Sequence, residues 1–438
     1  MYVTGRLPAL VALGVVPVVL LGSAGIAPWP VAALWLLLCA LVAGADAAFA
    51  PDPRRLRLTR TGAGRTRLGE RVDTALVVHN PGPRRVRGRL RDAWQPTAGA
   101  PQRRPRIDVP AGERRTVPVP LQPRRRGELR SDFVVVRSGG PLGIAGRQAR
   151  IEAPGTLRVL PPFTSRRHLP SRLARLRELD GNTSVQVRGQ GTEFDSLREY
   201  VRGDDVRSID WRATARAGTT MLRTWRPERD RHVVIIVDTG RTAAARVGDG
   251  VRLDAAMEAA LLLAALASRA GDHVHLAMFD RVLRARVTGV DGAALLPAMV
   301  DAMAPVEAQL IDTDWDAAFA QVRALTSRPS LVVLLTAQDS PESSRGFLGS
   351  LGAVAQRAHV LVGTATDAAP DPSDEATGGR RTADDVYRAA SVQRSARDAA
   401  RVAAAVARAG GDALSASPDD LPPQIADRYL ARKAAGRL

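Results

Sequence analysis

The sequence predicts a multi-domain chain: an N-terminal transmembrane helical hairpin, a small all-β sandwich of immunoglobulin-like type, and a doubly wound α/β domain. Three observations carry that prediction. Leu7 to Ala45 holds no acidic or basic residue and is divided by Pro28-Trp29-Pro30. From about Arg54 to Leu160, short apolar alternations are broken by Pro and Gly. Beyond His232 the pattern changes to apolar strands alternating with longer helical stretches. With 438 residues, the chain is long enough for more than one core. The boundaries drawn on this reading are 1–50, 54–160, 161–230 and 231–438.

Each half of the apolar run holds about 15 to 20 residues, near the length that crosses a hydrocarbon core. Arg6 and the small residues Gly25-Ile26-Ala27 resemble a secretory signal with its cleavage site, but a second span following at once argues for a hairpin. Arg6 precedes the first span, and Arg54, Arg55, Arg57, Arg60, Arg65 and Arg67 crowd behind the second. Positive flanks stay on the cytoplasmic side, so a multi-pass plasma-membrane protein with cytoplasmic soluble domains is expected.

In the β module, Val72–Val78, Val86–Leu90, Thr116–Val119 and Asp132–Val136 read as strands, with Asn80-Pro81-Gly82 and Pro110-Ala111-Gly112-Glu113 as turns. Its arginines read as a solvated face with some attraction for anionic headgroups. Gly140, Gly143 and Gly146 read as a turn. Residues Pro161 to Gly191 form a polar, Arg-rich connector. In the α/β domain, Val233–Val237 reads as a buried parallel strand, Leu253–Ala270 as a helix, and Val274–Phe279 with Val282–Val287 as a hairpin around Asp280-Arg281. Asp314–Leu325 is helical, Ser330–Thr336 and Val360–Gly363 are strands, and Thr366–Ala383 is a polar loop. A helix near Asp384–Ala409, a strand at Asp412–Ser415 and a helix at Asp420–Ala434 close the chain. Such alternation specifies an open sheet with helices on both faces.

Composition excludes several function classes. The formal charge is +18, yet nearly every base is Arg, with Lys433 the one lysine. Aromatic residues make up 4%, too few for base-stacking platforms, so no nucleic-acid partner is expected. A Walker-type phosphate loop lacks its Lys. Cys39 stands alone, which removes disulfides, Cys-based zinc sites and thiol catalysis.

The segment richest in chemistry runs from Thr192 to Arg216, packing acids, bases, Tyr200 and Trp211 into a stretch without clean periodicity. About twenty residues later comes the apolar strand that ends in Asp238-Thr239-Gly240-Arg241-Thr242. The polar positions of Glu193-Phe194-Asp195, Leu197-Arg198-Glu199-Tyr200, Gly203-Asp204-Asp205, Arg207, Ile209-Asp210-Trp211 and Ala215-Arg216 resemble the signature of the bacterial domain of unknown function 58 family. That resemblance extends over most of the chain, from the membrane hairpin to the tail Tyr429–Leu438. It implies a von Willebrand factor A-like α/β fold and a MoxR-type AAA+ ATPase as partner.

The resemblance also implies a metal-ion-dependent adhesion site of Asp-x-Ser-x-Ser type holding Mg²⁺ through oxygens. Asp238 matches its aspartate, Thr242 keeps the second hydroxyl, and Thr313 matches the second-loop threonine. Gly240 replaces the first serine, and the later aspartate is displaced to Asp339, so the site is degenerate. The alternative is structural: Asp238 caps its own turn with Thr242, and Asp314 caps the helix that starts at Trp315. For the signature segment, the structural alternative pairs Asp204, Asp205 and Asp210 with Arg198, Arg207 and Arg212, with Trp211 and Tyr200 packed beneath. The functional alternative is that Glu193, Asp195, Arg198, Tyr200, Asp204, Asp205, Arg207, Asp210, Trp211 and Arg216 dock a partner. A hydrolase of envelope metabolism using Glu193, Asp195 and Asp210 is the runner-up. His232, His273 and His275 lack a nucleophile motif, and the alternation of the last two reads as a polar edge. The expected function is therefore a membrane-tethered, non-enzymatic interaction protein acting in assembly or maturation of other proteins.

Overall fold

A computed structural model describes residues 1–62, 64–101, 104–183, 193–202, 204–226, 231–338, 340–367 and 383–436; of 180–183, 193–196, 224–226, 384–386, 388 and 392 the backbone alone is described. The chain divides into two compact units, Met1–Leu160 and Pro161–Leu438.

The first unit begins with the short strand β1 (Tyr2–Val3) and three helices, α1 (Arg6–Leu13), α2 (Val15–Ser23) and α3 (Pro28–Phe49). Arg6–Ser23 and Pro28–Arg55 are long and apolar enough to cross a membrane. Leu20, Leu34, Leu37 and Leu41 are exposed, as side chains that meet lipid would be. The two spans approach closely at Gly14, where a Cβ would overlap the Trp35 ring, while the Trp35 indole N–H donates to the Leu10 carbonyl at 3.1 Å.

The rest of this unit is a β-sandwich. Its strands are β2 (Arg57–Gly62), β3 (Arg65–Arg67), β4 (Val72–His79), β5 (Val86–Asp92), β6 (Arg106–Val109), β7 (Arg114–Leu121), β8 (Gly127–Gly139) and β9 (Ala145–Leu160). One sheet runs β1-β9-β8-β5-β6 with β3 on β9, and the other runs β2-β4-β7. Alternate residues point inward, so Leu76, Val78, Leu90, Val117, Val119, Val134, Val136, Leu157 and Val159 form one core. The helical hairpin is fastened to this sandwich by Asp46, whose carboxylate accepts the backbone N–H groups of Leu142, Ile144 and Ala145, each at 2.8 Å.

The second unit opens with α4 (Leu169–Thr183), inside the stretch read from sequence as a connector. Leu176 is buried there and the helix packs on later helices, so its leucine spacing outweighed its charge. A hairpin follows, β10 (Glu193–Glu199) against β11 (Met221–Arg226), with α5 (Trp211–Ala217) between them. Then come β12 (His232–Asp238), the two-residue pair β13 (Arg246–Val247) and β14 (Gly250–Val251), α6 (Arg252–Arg269), β15 (His273–Phe279) and β16 (Leu283–Val287). Next are α7 (Leu295–Met303), α8 (Trp315–Leu325), β17 (Pro329–Leu335), α9 (Arg345–Ala355), β18 (His359–Ala365), α10 (Ala383–Arg408), β19 (Asp412–Ala416) and α11 (Leu421–Ala434).

The sheet order is β16-β15-β12-β17-β18-β19, parallel throughout except for the edge strand β16. Val234, Ile236, Val332, Leu334 and Val362 pack against α8, α9 and α10, while α6 and α11 cover the other face. Strands buried on both faces must be apolar along their interior, and Val233–Val237 of β12 and Leu331–Leu335 of β17 are. β15 is interior, which corrects the edge reading of its histidines: His275 is buried and bonded to His232 Nδ1 at 2.9 Å. The tail is structural. Buried Tyr429 gives its hydroxyl to Asp272 at 2.5 Å, and Lys433 pairs with the same carboxylate at 3.0 Å.

Candidate functional site

The carboxyl ends of β12 and β15 lie side by side, with Asp238 in register with Phe279, so Asp238 and Asp280 follow one another across the crest of the sheet. Ligands of open α/β sheets gather at this end, where strand order reverses. Asp238 is only 3% exposed, and each oxygen accepts two hydrogen bonds. Oδ1 takes the Gly240 N–H at 2.8 Å and the Thr313 hydroxyl at 2.5 Å. Oδ2 takes the Thr336 hydroxyl at 2.6 Å and the Thr242 hydroxyl at 3.3 Å. Burial pushes the Asp238 carboxyl above the ordinary carboxylate range, and those four donors pull it part of the way back.

Gly240 is what allows this closure. A Cβ there would overlap Thr313 Oγ1 and stand 2.9 Å from the Ile311 carbonyl, so a serine would push the second-loop threonine off the carboxylate. Glycine serves here for space, since its φ of −75° suits any residue.

Asp280 is fully buried and organises the neighbouring loop. It accepts the Thr239 hydroxyl at 2.9 Å, the N–H groups of Arg281 and Val282 at 2.6 and 3.1 Å, and the Arg284 guanidinium at 2.7 and 3.1 Å. Although burial alone would raise it, the Arg284 fork and these donors hold its carboxyl below the ordinary range. Backbone bonds lace the crest together: Gln309 N–H to Thr239 at 2.7 Å, Arg241 N–H to Ile311 at 2.8 Å, and Asp314 N–H to Asp280 at 2.9 Å. On its outer rim Arg241 pairs with Asp312 at 3.1 Å, and Leu310 is 80% exposed.

The four metal candidates therefore fare differently. Asp238, Thr242 and Thr313 meet, Thr336 joins them, and Asp339 lies outside the described residues. As arranged, this set does not fit Mg²⁺, which wants six oxygens at about 2.1 Å in an octahedron. Both carboxylate oxygens are occupied by donors, and Gly240 offers no oxygen. Asp314 accepts the Ala317 N–H at 3.0 Å and caps α8, as its position implied. Asp280, Thr336 and Arg284 were missed in the sequence, although an aspartate directly after a second buried strand was the available signal.

In the signature hairpin, Arg198 pairs with Asp204 at 2.7 Å, as expected. Two other expected pairs are corrected. Asp205 accepts the Arg207 N–H within its turn, at 3.0 Å. Asp210 caps α5 through the N–H groups of Arg212 and Ala213, at 2.9 and 3.0 Å, and its ion pair is with Arg223 at 2.7 Å. The Ala213 N–H and then Arg223 hold the Asp210 carboxyl below the ordinary range. Trp211 is not packed beneath this layer: the first residue of a two-turn helix, it is 70% exposed. Val201 and Val206 are exposed as well. Arg207, Arg212 and Arg216 of the same segment are all exposed and without an ion pair among the described residues. Tyr200 is half-buried, its N–H bonded to the Thr220 carbonyl at 2.7 Å. The carboxylates of Glu193 and Asp195 lie outside the described residues.

Residues 196–376 match the family model described as "Protein of unknown function DUF58". The segment belongs to that family. The DUF58 segment thus holds Asp204, Asp210 and Trp211 of the hairpin together with Asp238, Asp280, Thr313 and Thr336 of the crest. No curated protein matches the chain. Among solved structures, it is similar over 26% of its length to 90% of a CARDB domain from Pyrococcus furiosus crystallised with di-metal ions, at 13% identity and a TM-score of 0.19. A FixG-related protein from Vibrio parahaemolyticus matches over 24% of this chain and 96% of that one, at 11% identity and a TM-score of 0.19. A PKD domain of an M14-like peptidase from a Thermoplasmatales archaeon matches over 25% and 95%, at 9% identity and a TM-score of 0.17.

Proposed function

We propose that the protein is a membrane-tethered, non-enzymatic scaffold whose DUF58 segment docks a cytoplasmic partner. The observation that supports this reading most directly is Trp211. A tryptophan left in water on a capped, ion-paired hairpin, with Val201 and Val206 also exposed, has the composition of a docking anchor. Arg207, Arg212 and Arg216 of the same segment, exposed and without an ion pair among the described residues, favour a partner surface with an apolar pocket and an acidic rim. Family resemblance names a MoxR-type AAA+ ATPase for that role, in assembly or maturation of other proteins.

On this reading the α/β unit is von Willebrand factor A-like. Counted in chain order its strands lie 3-2-1-4-5-6, and its crest aspartate meets a second-loop threonine as in an adhesion site. Here hydroxyl protons take the place of a cation, so docking is metal-independent and Asp238 acts by holding the loops in shape rather than by touching the partner. The two N-terminal spans hold the chain in the plasma membrane, and the arginines flanking them favour cytoplasmic soluble domains.

The test is capture of nucleotide-locked AAA+ candidates by the full detergent-solubilised chain. Trp211→Ala is expected to weaken capture at least tenfold, and EDTA is expected to leave it unchanged. Undiminished capture by Trp211→Ala would refute the anchor, and EDTA-sensitive capture would restore the Mg²⁺ version of the site.

A further inference from the structure

We infer that the first unit carries a binding site for the phosphate of an anionic phospholipid headgroup, in the cavity where α3 ends. This rests on the membrane-spanning reading above. The cavity measures about 290 Å³ and is lined by Ala48, Ala50 and Pro51 at the end of the span, by the turn Asn80–Pro83, and by Arg55, Arg84 and Arg147.

Its depth follows from the packing of the hairpin. Ala43 and Ala47 of α3 cluster with Ala145, and Leu7 and Ile144 pack against them, so the span meets the sandwich within its last two turns. Arg6 at the start of the first span gives its guanidinium to the Leu142 carbonyl at 2.8 Å, which puts both span ends at one level. A cavity starting at Ala48 therefore opens among the headgroups, just outside the hydrocarbon.

Its charge suits a phosphate. Arg147 caps α3 by donating to the Ala47 and Ala48 carbonyls at 3.0 and 3.2 Å, which holds a guanidinium at the cavity wall. Arg55 and Arg84 have no ion pair among the described residues, whereas neighbouring Arg85 and Arg87 share Asp108. Asp52 also lines the cavity, but its carboxylate accepts the Arg54 N–H at 3.0 Å and faces its own turn. Three guanidiniums against one carboxylate leave a cationic pocket where lipid phosphates are concentrated. Exposed Leu142, on the loop that also receives Asp46, reaches the same layer.

The test offers the delipidated full chain equimolar phosphatidylglycerol and phosphatidylcholine and counts retained lipid by native mass spectrometry. One phosphatidylglycerol is expected to be retained in preference. Arg55→Ala with Arg84→Ala is expected to lower that preference about 25-fold, roughly fivefold per arginine. Arg65→Ala with Arg130→Ala, at the other end of the sandwich, is expected to leave it intact. Displacement of the lipid by millimolar inorganic phosphate would make this a free-phosphate site and overturn the assignment. So would an unchanged preference in the Arg55/Arg84 variant. Flotation with neutral phosphatidylcholine vesicles after a carbonate wash is the separate check on spanning. Flotation without lipid preference overturns the site alone, and failure to float overturns both.

Discussion

Substituting Gly240 by alanine tests whether the crest is closed by its own hydroxyls. The new Cβ would overlap Thr313 Oγ1, so the 2.5 Å bond to Asp238 must open. A hydrogen bond to a charged group contributes about 1.5–3 kcal/mol. The backbone at φ −75° and ψ −169° accepts alanine, whose stiffer unfolded chain returns about 0.4–1 kcal/mol. The net cost is about 1–2 kcal/mol, which means local opening roughly 5 to 30 times more frequent. Amide exchange of the full chain, read on a peptide covering 239–245, is the assay, because the Gly240 and Arg241 N–H groups bond to Asp238 and Ile311 within this crest. Thr313→Ala removes both the obstructing hydroxyl and the same bond. The two substitutions together are therefore expected to cost less than their sum by about 1–2 kcal/mol. Strict additivity, or exchange unchanged in Gly240→Ala, would refute the closed-crest account.

Other outcomes follow from the same crest and from the opposite end of the sheet. Asp280→Ala strands the Arg284 guanidinium and two loop N–H groups and is expected to cost about 3 kcal/mol in urea unfolding of the α/β unit. Because the folded Asp280 pKa is lowered, its contribution is present above the ordinary carboxylate range and lost as pH falls through the folded value. The stability gap between wild type and Asp280→Asn should therefore narrow from pH 6 towards about pH 3. Asp238 has the opposite sign: its raised pKa means a contribution present in acid and lost as pH rises, so the gap to Asp238→Asn should narrow from acid towards neutrality. His275 is held low by burial and then by His232 and His273, with Arg286 adding to this and Asp291 opposing it. Its contribution is present above about pH 6.5 and lost below it, so His275→Asn should flatten thermal stability between pH 7 and 5.

Much of the architecture was legible because burial constrains composition. A run without charge can only be a span or a core, and β12 and β17, apolar on both faces, had to lie inside a parallel sheet. The α4 helix escaped because its arginines dominated the local texture, and its leucine row matters only once α6 and α11 are there to receive it. At the crest, matching Asp238 with Thr313 across 75 positions of sequence identified a real contact at 2.5 Å.

Chain order and residue type were enough to mark two long apolar helices, a β module and an α/β sheet, and to put an aspartate at the tip of the first parallel strand. Tertiary structure alone decided what that aspartate does. Whether a carboxylate meets a cation, a partner or its own neighbours depends on which donors the loops bring within about 3 Å, and those donors come from residues 240, 242, 313 and 336. The exposure of Trp211 was decided in the same way. Its sequence places a tryptophan after a helix cap, but only the folded chain shows the ring left in water, 70% exposed.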